Sequence, residues 1–199
     1  MDKINHHRRK WLAIGGAALG LSLIPGIVTA ASTKSTSKTA SSNKTTNKSQ
    51  TKTRTLLIKN INTNETIQST YFNGKSYNKA ELARLDHLFR DRRTNQVKAI
   101  DPKLFDKLYQ LQKQFGNRQI EVICGYRTTG SNSAMHSKNK NVAKNSYHTL
   151  GKAVDIRIVG VPLKSLRDAA LKLKSGGVGY YPSNNFVHVD TGPERSWSS

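Results

Sequence analysis

The chain has 199 residues, which is enough for one domain with extensions, and its formal net charge is +21. Residues 1–54 hold ten Lys or Arg and one acidic residue, which leaves a charge of +12 on the rest of the chain. This charge favours an anionic partner, such as nucleic acid, a membrane surface or a cell-wall polymer. The single cysteine, Cys124, excludes an intramolecular disulfide.

Residues 1–31 have the organisation of an export signal. Basic residues end at Lys10, an apolar run follows over residues 11–28, and small residues then offer a cleavage site. The adjacent Arg8 and Arg9 resemble a twin-arginine signal. We therefore expect an exported protein of the periplasm or cell envelope. The alternative is an uncleaved signal that holds the chain at the membrane, although the apolar run is interrupted by Gly and Pro and is marginal in length for a span.

Residues 32–54 consist mainly of Ser, Thr, Lys and Asn. A segment with so few apolar residues does not bury enough surface to offset its ordering entropy. The composition predicts a disordered, cationic linker between the signal and the domain.

Residues 55–199 alternate between strand and helix patterns, which predicts a single α+β domain around one antiparallel sheet with flanking helices. Helix starts are indicated at Asn78, at Asp101-Pro102 and at Pro162. Residues 128–146 are polar and predict a long, site-forming loop. Strand patterns occupy residues 56–58, 66–72, 119–124, 153–159, 178–181 and 186–189.

Asp155 stands in an apolar strand pattern, where an unpaired charge costs several kcal/mol. His148 precedes it by seven positions, and Gly151 lets the chain turn between them. A second His/Asp pair, His188 and Asp190, occupies another apolar run. Since these two are separated by one residue in a strand, both side chains point to the same face.

Two histidines and an aspartate are the donor set of a catalytic zinc site, which uses three protein ligands and leaves one position for water. His148, Asp155 and His188 supply that set. Asp190 would lie beside the metal and is predicted to act as the general base for a zinc-bound water. A purely structural hydrogen-bond network among the same residues is the alternative.

The stretch 146–155 matches the S-x-H-x-x-G-x-A-x-D motif of the zinc D,D-peptidases, which act on D-alanyl or meso-diaminopimelyl bonds of peptidoglycan. Gly125-Tyr126-Arg127-Thr128 is similar to the arginine motif of that family. Residues 177–182 and 186–193 resemble the C-terminal half of its murein endopeptidase K-like branch. The resemblance covers residues 55–197 and implies a hedgehog/D,D-peptidase-like fold.

The resemblance implies one Zn²⁺ per chain, held by His148, Asp155 and His188. It implies that Arg127 orients the substrate and stabilises the oxyanion, and that Ser146 orients the site or binds the substrate by hydrogen bonding. The alternative for Ser146 is a cap on the local turn. Several branches of the family place the catalytic carboxylate three residues before the last histidine ligand. That position is Asn185 here, which is not a base, so Asp190 remains the candidate.

These observations predict a zinc-dependent peptidoglycan hydrolase that cleaves peptide cross-links as a D,D- or L,D-endopeptidase. The alternatives are a D-Ala-D-Ala-type carboxypeptidase and a non-catalytic, zinc-containing peptidoglycan-binding module. Other anionic wall polymers are possible partners. A nucleic-acid partner is disfavoured, because the export signal removes the chain from nucleic acid and no basic stripe with interleaved aromatic residues is present.

Overall fold

The computed structural model describes residues 52–199, so the predicted signal and nearly all of the predicted linker lie outside the described residues. One sheet dominates this part of the chain, with the strand order β2-β1-β3-β4-β6-β5-β7. The α+β architecture around one sheet is confirmed. The sheet is mixed rather than wholly antiparallel, because the β1/β3 and β5/β7 pairs are parallel. The strands are β1 (Arg54–Asn60), β2 (Thr66–Phe72), β3 (Ile120–Cys124), β4 (Ala153–Ile158), β5 (Gly177–Tyr181), β6 (Phe186–Asp190) and β7 (Arg195–Ser198).

Three of the four helices begin where the sequence predicted, at Asn78, Asp101-Pro102 and Pro162. Asn78 accepts hydrogen bonds from two amides of the first turn of its helix, and the Asp101 carboxylate accepts one from Lys103 with Pro102 at the first helical position. None of the helices described has the length and apolarity that a membrane span requires. The helices are α1 (Lys79–Leu88), α2 (Pro102–Gln114), α3 (Thr129–Lys138) and α4 (Leu163–Lys172).

The prediction of an irregular loop over residues 128–146 is wrong for its first half, which forms α3. The residues that α3 buries are Ser131 and Asn132. A helix that buries polar residues leaves no apolar stripe in the sequence, so the usual periodicity is absent.

The two faces of the sheet have different chemistry. Val154 of β4 and Val187 and Val189 of β6 belong to the hydrophobic core. Strand alternation places Asp155 and His188 on the opposite face. The apolar face of the sheet therefore packs in the hydrophobic core, and the polar face contains the candidate site.

The loop between α1 and α2 is attached to the end of β3 by a buried carboxylate. Asp91 is 1% exposed and accepts hydrogen bonds from the amide and hydroxyl of Thr128, at 2.8 and 2.9 Å. It also accepts one from the Arg93 amide at 2.8 Å. Because Thr128 caps α3, Asp91 ties the exposed segment 92–99 to both β3 and α3.

Because of Asp91, the free energy of unfolding should depend on pH in the acid range. Burial raises its pKa, but hydrogen bonds from Ser131, Thr128 and Arg93 outweigh burial and lower the pKa to about 2, from 3.8. A carboxylate with a lowered folded-state pKa stabilises the fold above its unfolded pKa, and the stabilisation is lost as pH falls through the folded pKa. We expect the difference in unfolding free energy between wild type and Asp91→Asn to shrink as pH falls from about 4 to about 2 in denaturant titrations. A difference that stays constant over this range would contradict the assignment.

Candidate metal centre

Three side chains from separate elements meet on the polar face of the sheet. Asp155 and His188 stand opposite each other in the antiparallel β4/β6 pair, and His148 comes from a 3₁₀ helix at Tyr147–Leu150. Asp155 Oδ1 lies 3.2 Å from His148 Nε2 and 2.9 Å from His188 Nδ1. The two imidazole nitrogens are 3.2 Å apart. The three predicted ligands therefore form a nearly equilateral triangle of donor atoms.

The tautomer of each histidine is set by the hydrogen bond of its outer nitrogen, which is the ring nitrogen that faces away from Asp155. His148 Nδ1 donates to the Gly125 carbonyl oxygen at 2.7 Å, and His188 Nε2 donates to Asp190 Oδ2 at 3.1 Å. In the neutral imidazoles, the inner nitrogens therefore carry lone pairs that face Asp155 Oδ1. In that state three acceptors converge, and a cation among them, either a proton or a metal ion, stabilises the arrangement.

The triangle has the size that a tetrahedral metal ion needs. Ligands at roughly 2.0–2.1 Å from a zinc ion stand about 3.3–3.4 Å from one another. The observed separations of 2.9–3.2 Å are close to that value. All three residues are at most 8% exposed, so the ligand atoms are largely shielded from water. Two imidazoles and one carboxylate therefore fit a zinc ion with one position left for a further ligand.

The electrostatics of the triad follow from burial and mutual contact. Burial lowers the pKa of His148, which keeps its imidazole neutral. Burial raises the pKa of Asp155, but the two histidines outweigh burial and hold that pKa well below its usual range. Burial lowers the pKa of His188, but Asp155 and Asp190 outweigh burial and raise it. The centre thus holds an ionised carboxylate in a buried setting.

Asp190 lies behind His188 rather than beside the triangle. It is fully buried, and its carboxylate accepts hydrogen bonds from the amides of Gly177 and Gly192 at 2.8 Å and from Arg195 at 2.7 Å. Burial raises its pKa, but His188, Arg195 and the two amides outweigh burial and lower it well below the usual range. The imidazole of His188 separates Asp190 from the ligand atoms. This geometry favours a role in orienting His188 over the predicted role of general base.

A buried lysine supports the same end of β6. Lys107 of α2 is 3% exposed, and its Nζ donates to the carbonyl oxygens of Asp190 and Ser175. The nearby charge of Asp190 raises the pKa of Lys107, but burial outweighs it, so the pKa is lowered. Asp190 is therefore held at its backbone by Lys107 and at its carboxylate by Arg195.

Arg127 enters the site from the end of β3. Its amide donates to the His148 carbonyl oxygen at 3.2 Å, which places it directly beside the 3₁₀ helix. The side chain is 8% exposed, and one NH1 hydrogen bond reaches Asn132 Oδ1 at 3.1 Å. Its Nε is buried and has no hydrogen-bond partner in the described residues. The predicted substrate-orienting arginine thus adjoins the 3₁₀ helix of His148 through its backbone and keeps one buried donor unused.

Ser146 caps the 3₁₀ helix that carries His148. Its Oγ accepts a hydrogen bond from the His148 amide at 3.3 Å, and its carbonyl oxygen accepts one from the Thr149 hydroxyl at 2.7 Å. These contacts correspond to the turn-capping alternative given for Ser146. Asn185, which stands where several branches of the family carry a carboxylate, lies in the turn before β6 and lines a groove with Arg157 and Gly160.

Two residues near the triad were not predicted from the sequence. The Sγ of Cys124 lies within 4.8 Å of ligand atoms of His148 and Asp155. Burial raises its pKa to about 12, so it is a thiol at neutral pH. Trp197 of β7 stands over Gly179, with its ring 5.3 Å from that of His188. The only sequence signal for Trp197 is the Gly179 position, where a side chain would collide with the indole.

Gly151 closes the 3₁₀ helix in a conformation that favours glycine. Its φ is 67°, and a Cβ there would lie 2.6 Å from the Ala99 carbonyl oxygen. We expect Gly151→Ala to lower the free energy of unfolding by about 1–3 kcal/mol and to weaken metal binding, because His148 moves with the turn. Gly130→Ala is the matched control, since a Cβ there meets nothing within 4 Å. Equal stability of the two variants in denaturant unfolding would refute the assignment.

Comparison with known proteins gives a consistent set of relatives. A family model described as peptidoglycan L,D-endopeptidase MepK matches residues 48–197. The peptidoglycan L,D-endopeptidase MepK of Escherichia coli strain K12 is 45% identical over 198 residues, which cover 99% of this chain and 100% of that protein. The probable peptidoglycan L,D-endopeptidase MepK of Haemophilus influenzae is 45% identical over 199 residues, which cover 99% of this chain and 98% of that protein.

Proposed function

This chain belongs to the peptidoglycan L,D-endopeptidase MepK family, and from that premise we propose that it is a zinc-dependent endopeptidase that cleaves L,D peptide cross-links of peptidoglycan. The observation that carries the proposal is the triangle of His148 Nε2, Asp155 Oδ1 and His188 Nδ1, with edges of 2.9–3.2 Å. Three converging acceptors of this kind support one metal ion per chain. The L,D specificity rests on the names of the relatives.

Bound zinc would supply a Lewis acid that polarises the scissile carbonyl and lowers the pKa of a bound water to about 7. The chain supplies the remaining functions. Asp155 and the two histidines would hold the ion on the polar face of the sheet, and Asp190 would orient His188. Arg127 would offer its positive charge to the substrate and to the oxygen on which negative charge develops.

The environment of the protein is also a proposal. We infer export to the cell envelope through a twin-arginine signal at Arg8 and Arg9, followed by a cationic linker at residues 32–54. The charge of +12 on residues 55–199 favours retention on an anionic wall. Localisation of a tagged chain carrying Arg8→Lys and Arg9→Lys tests the route, and unchanged export of this variant would contradict it.

Digestion of purified sacculi tests the activity. The full chain is incubated with sacculi, with and without a chelator, and the soluble products are identified by mass spectrometry. We expect muropeptides released by cleavage between an L-centre and a D-centre, with no release in chelator or by His148→Ala. Release that continues unchanged in His148→Ala would refute the proposal. Products cut only at a terminal D-alanine would instead identify a carboxypeptidase.

A further inference from the structure

Three arginines beside the metal centre have no acidic partner. Within residues 52–199, no carboxylate lies within 4.0 Å of the guanidinium groups of Arg92, Arg93 or Arg127. Most other arginines of this region do pair with a carboxylate. The paired ones are Arg54, Arg84, Arg90, Arg157, Arg167 and Arg195. Three of the four arginines of this region that lack an acidic partner therefore line one cleft, and the fourth is Arg118.

Two of the three guanidinium groups meet at one atom. NH1 of Arg93 and NH1 of Arg127 lie 3.3 and 3.8 Å from the same atom, Met135 Sδ of α3. Arg92 donates to Asn62 Oδ1 at 3.2 Å, beside the end of β3. All three arginines line one cleft, together with Arg90 and Asp91.

This cleft opens next to the metal centre. Cys124 and Gly125 line its floor, and Cys124 Sγ lies within 4.8 Å of ligand atoms of His148 and Asp155. The Gly125 carbonyl oxygen is the acceptor that sets the tautomer of His148. The cleft and the metal centre therefore share the Cys124-Gly125 segment.

A buried donor without an acceptor costs free energy. Arg127 has such a donor, since its side chain is 8% exposed and its buried Nε has no partner in the described residues. A bound carboxylate suits the cleft, because guanidinium groups bind carboxylates through paired, charge-assisted hydrogen bonds. Asp91, which also lines the cleft, does not take this role, because its oxygens accept from Thr128 and from the Arg93 amide.

The proposed substrate carries such a carboxylate. When the amine of a D-centre amino acid forms an amide, its own carboxyl group stays on the carbon attached to the amide nitrogen. We propose that Arg92 and Arg93 form, with Arg127, a binding site for this free carboxylate, and that the enzyme discriminates against cross-links in which it is amidated. This inference rests on the proposed function and assigns Arg92 and Arg93 as specificity-determining residues.

Two cross-linked muropeptide dimers test the proposal, one with the free carboxyl group next to the scissile nitrogen and one with a carboxamide there. For wild type, we expect amidation to lower kcat/KM by about 10- to 150-fold, the loss expected for hydrogen bonds to a charged group. In the double variant Arg92→Gln and Arg93→Gln, we expect the free dimer to be cleaved more slowly and the ratio between the dimers to approach one. Both residues are exposed, so the fold should tolerate the changes.

Arg118→Gln is the matched control, because Arg118 also lacks an acidic partner in residues 52–199 but donates to the Gly160 carbonyl oxygen away from the cleft. It should keep the wild-type ratio. Equal cleavage of both dimers by wild type, or an unchanged ratio in the double variant, would overturn the inference and leave the proposed function intact. If wild type cleaves neither dimer, the proposed function fails. Calorimetric binding then decides the inference: tighter binding of the free dimer supports the carboxylate site, and equal binding or none overturns it.

Discussion

Replacing His188 by alanine should release the metal and lower cleavage of cross-linked muropeptides by at least about 10³-fold, since even one lost charge-stabilising donor costs about 10²–10³ in kcat. His188 supplies one corner of the ligand triangle through Nδ1, and its loss leaves Asp155 with one imidazole partner. Two ligands from the protein hold a zinc ion far more weakly than three.

Metal content by mass spectrometry and cleavage rate are measured together for this variant. His87→Ala is the control, because His87 is an exposed histidine of α1 that is not part of the triad. We expect one zinc per chain and full activity in His87→Ala. A His188→Ala protein that retains both zinc and cleavage would contradict the ligand assignment.

Asp190→Asn should separate the two roles that sequence and structure favour for this residue. If Asp190 orients His188, the variant should bind zinc about 10- to 100-fold more weakly, as is found for partners of metal-ligating histidines. Once zinc is saturating, kcat should return to within about threefold of wild type, because no step of proton transfer has been removed.

The general-base prediction gives the opposite pattern. Zinc affinity would be nearly unchanged, while kcat at saturating zinc would fall by about 10²–10⁴-fold. The structure favours the first pattern, since both carboxylate oxygens are occupied by Gly177, Gly192 and Arg195 and the residue is fully buried. Asp168→Asn is the control, a surface carboxylate that pairs with Arg167. Asp168→Asn should alter neither the zinc affinity nor kcat at saturating zinc.

Features of the fold that depend on local chemistry were predictable from the sequence. The cap at Asn78, the Asp101-Pro102 helix start and the glycine turn at Gly151 are confirmed. Each depends on residues within a few positions of one another. By contrast, α3 was missed because it buries Ser131 and Asn132, and β7 was missed because four residues are too few to show a pattern.

The candidate site likewise has features that could be predicted from the sequence and features that could not. The resemblance to the murein endopeptidase K-like branch is confirmed, and so is the expectation of a peptidoglycan peptidase. The β4/β6 register that sets Asp155 opposite His188 is contained in neither strand alone. Likewise, Arg93 and Arg127 meet at Met135 only through tertiary packing, so the arginine cleft could not be predicted from the sequence.

The position of Asp190 shows why spacing predicted its neighbour but not its role. Alternation in β6 correctly placed it on the same face as His188. Which nitrogen of His188 faces Asp190 depends on side-chain rotation and on Arg195, a residue of β7. The outer nitrogen faces Asp190, so the carboxylate supports the ring from behind. The predicted export signal lies outside the described residues and stays a prediction.

Titration of metal-free protein with zinc tests the central claim most directly. The full chain is stripped with a chelator, zinc is added in steps, and the rate of cleavage of a cross-linked muropeptide dimer is measured at each step. The triad of His148, Asp155 and His188 predicts no cleavage without metal and a linear rise that ends at one zinc per chain. Full cleavage by the metal-free protein, or one bound zinc per chain without any cleavage, would contradict it.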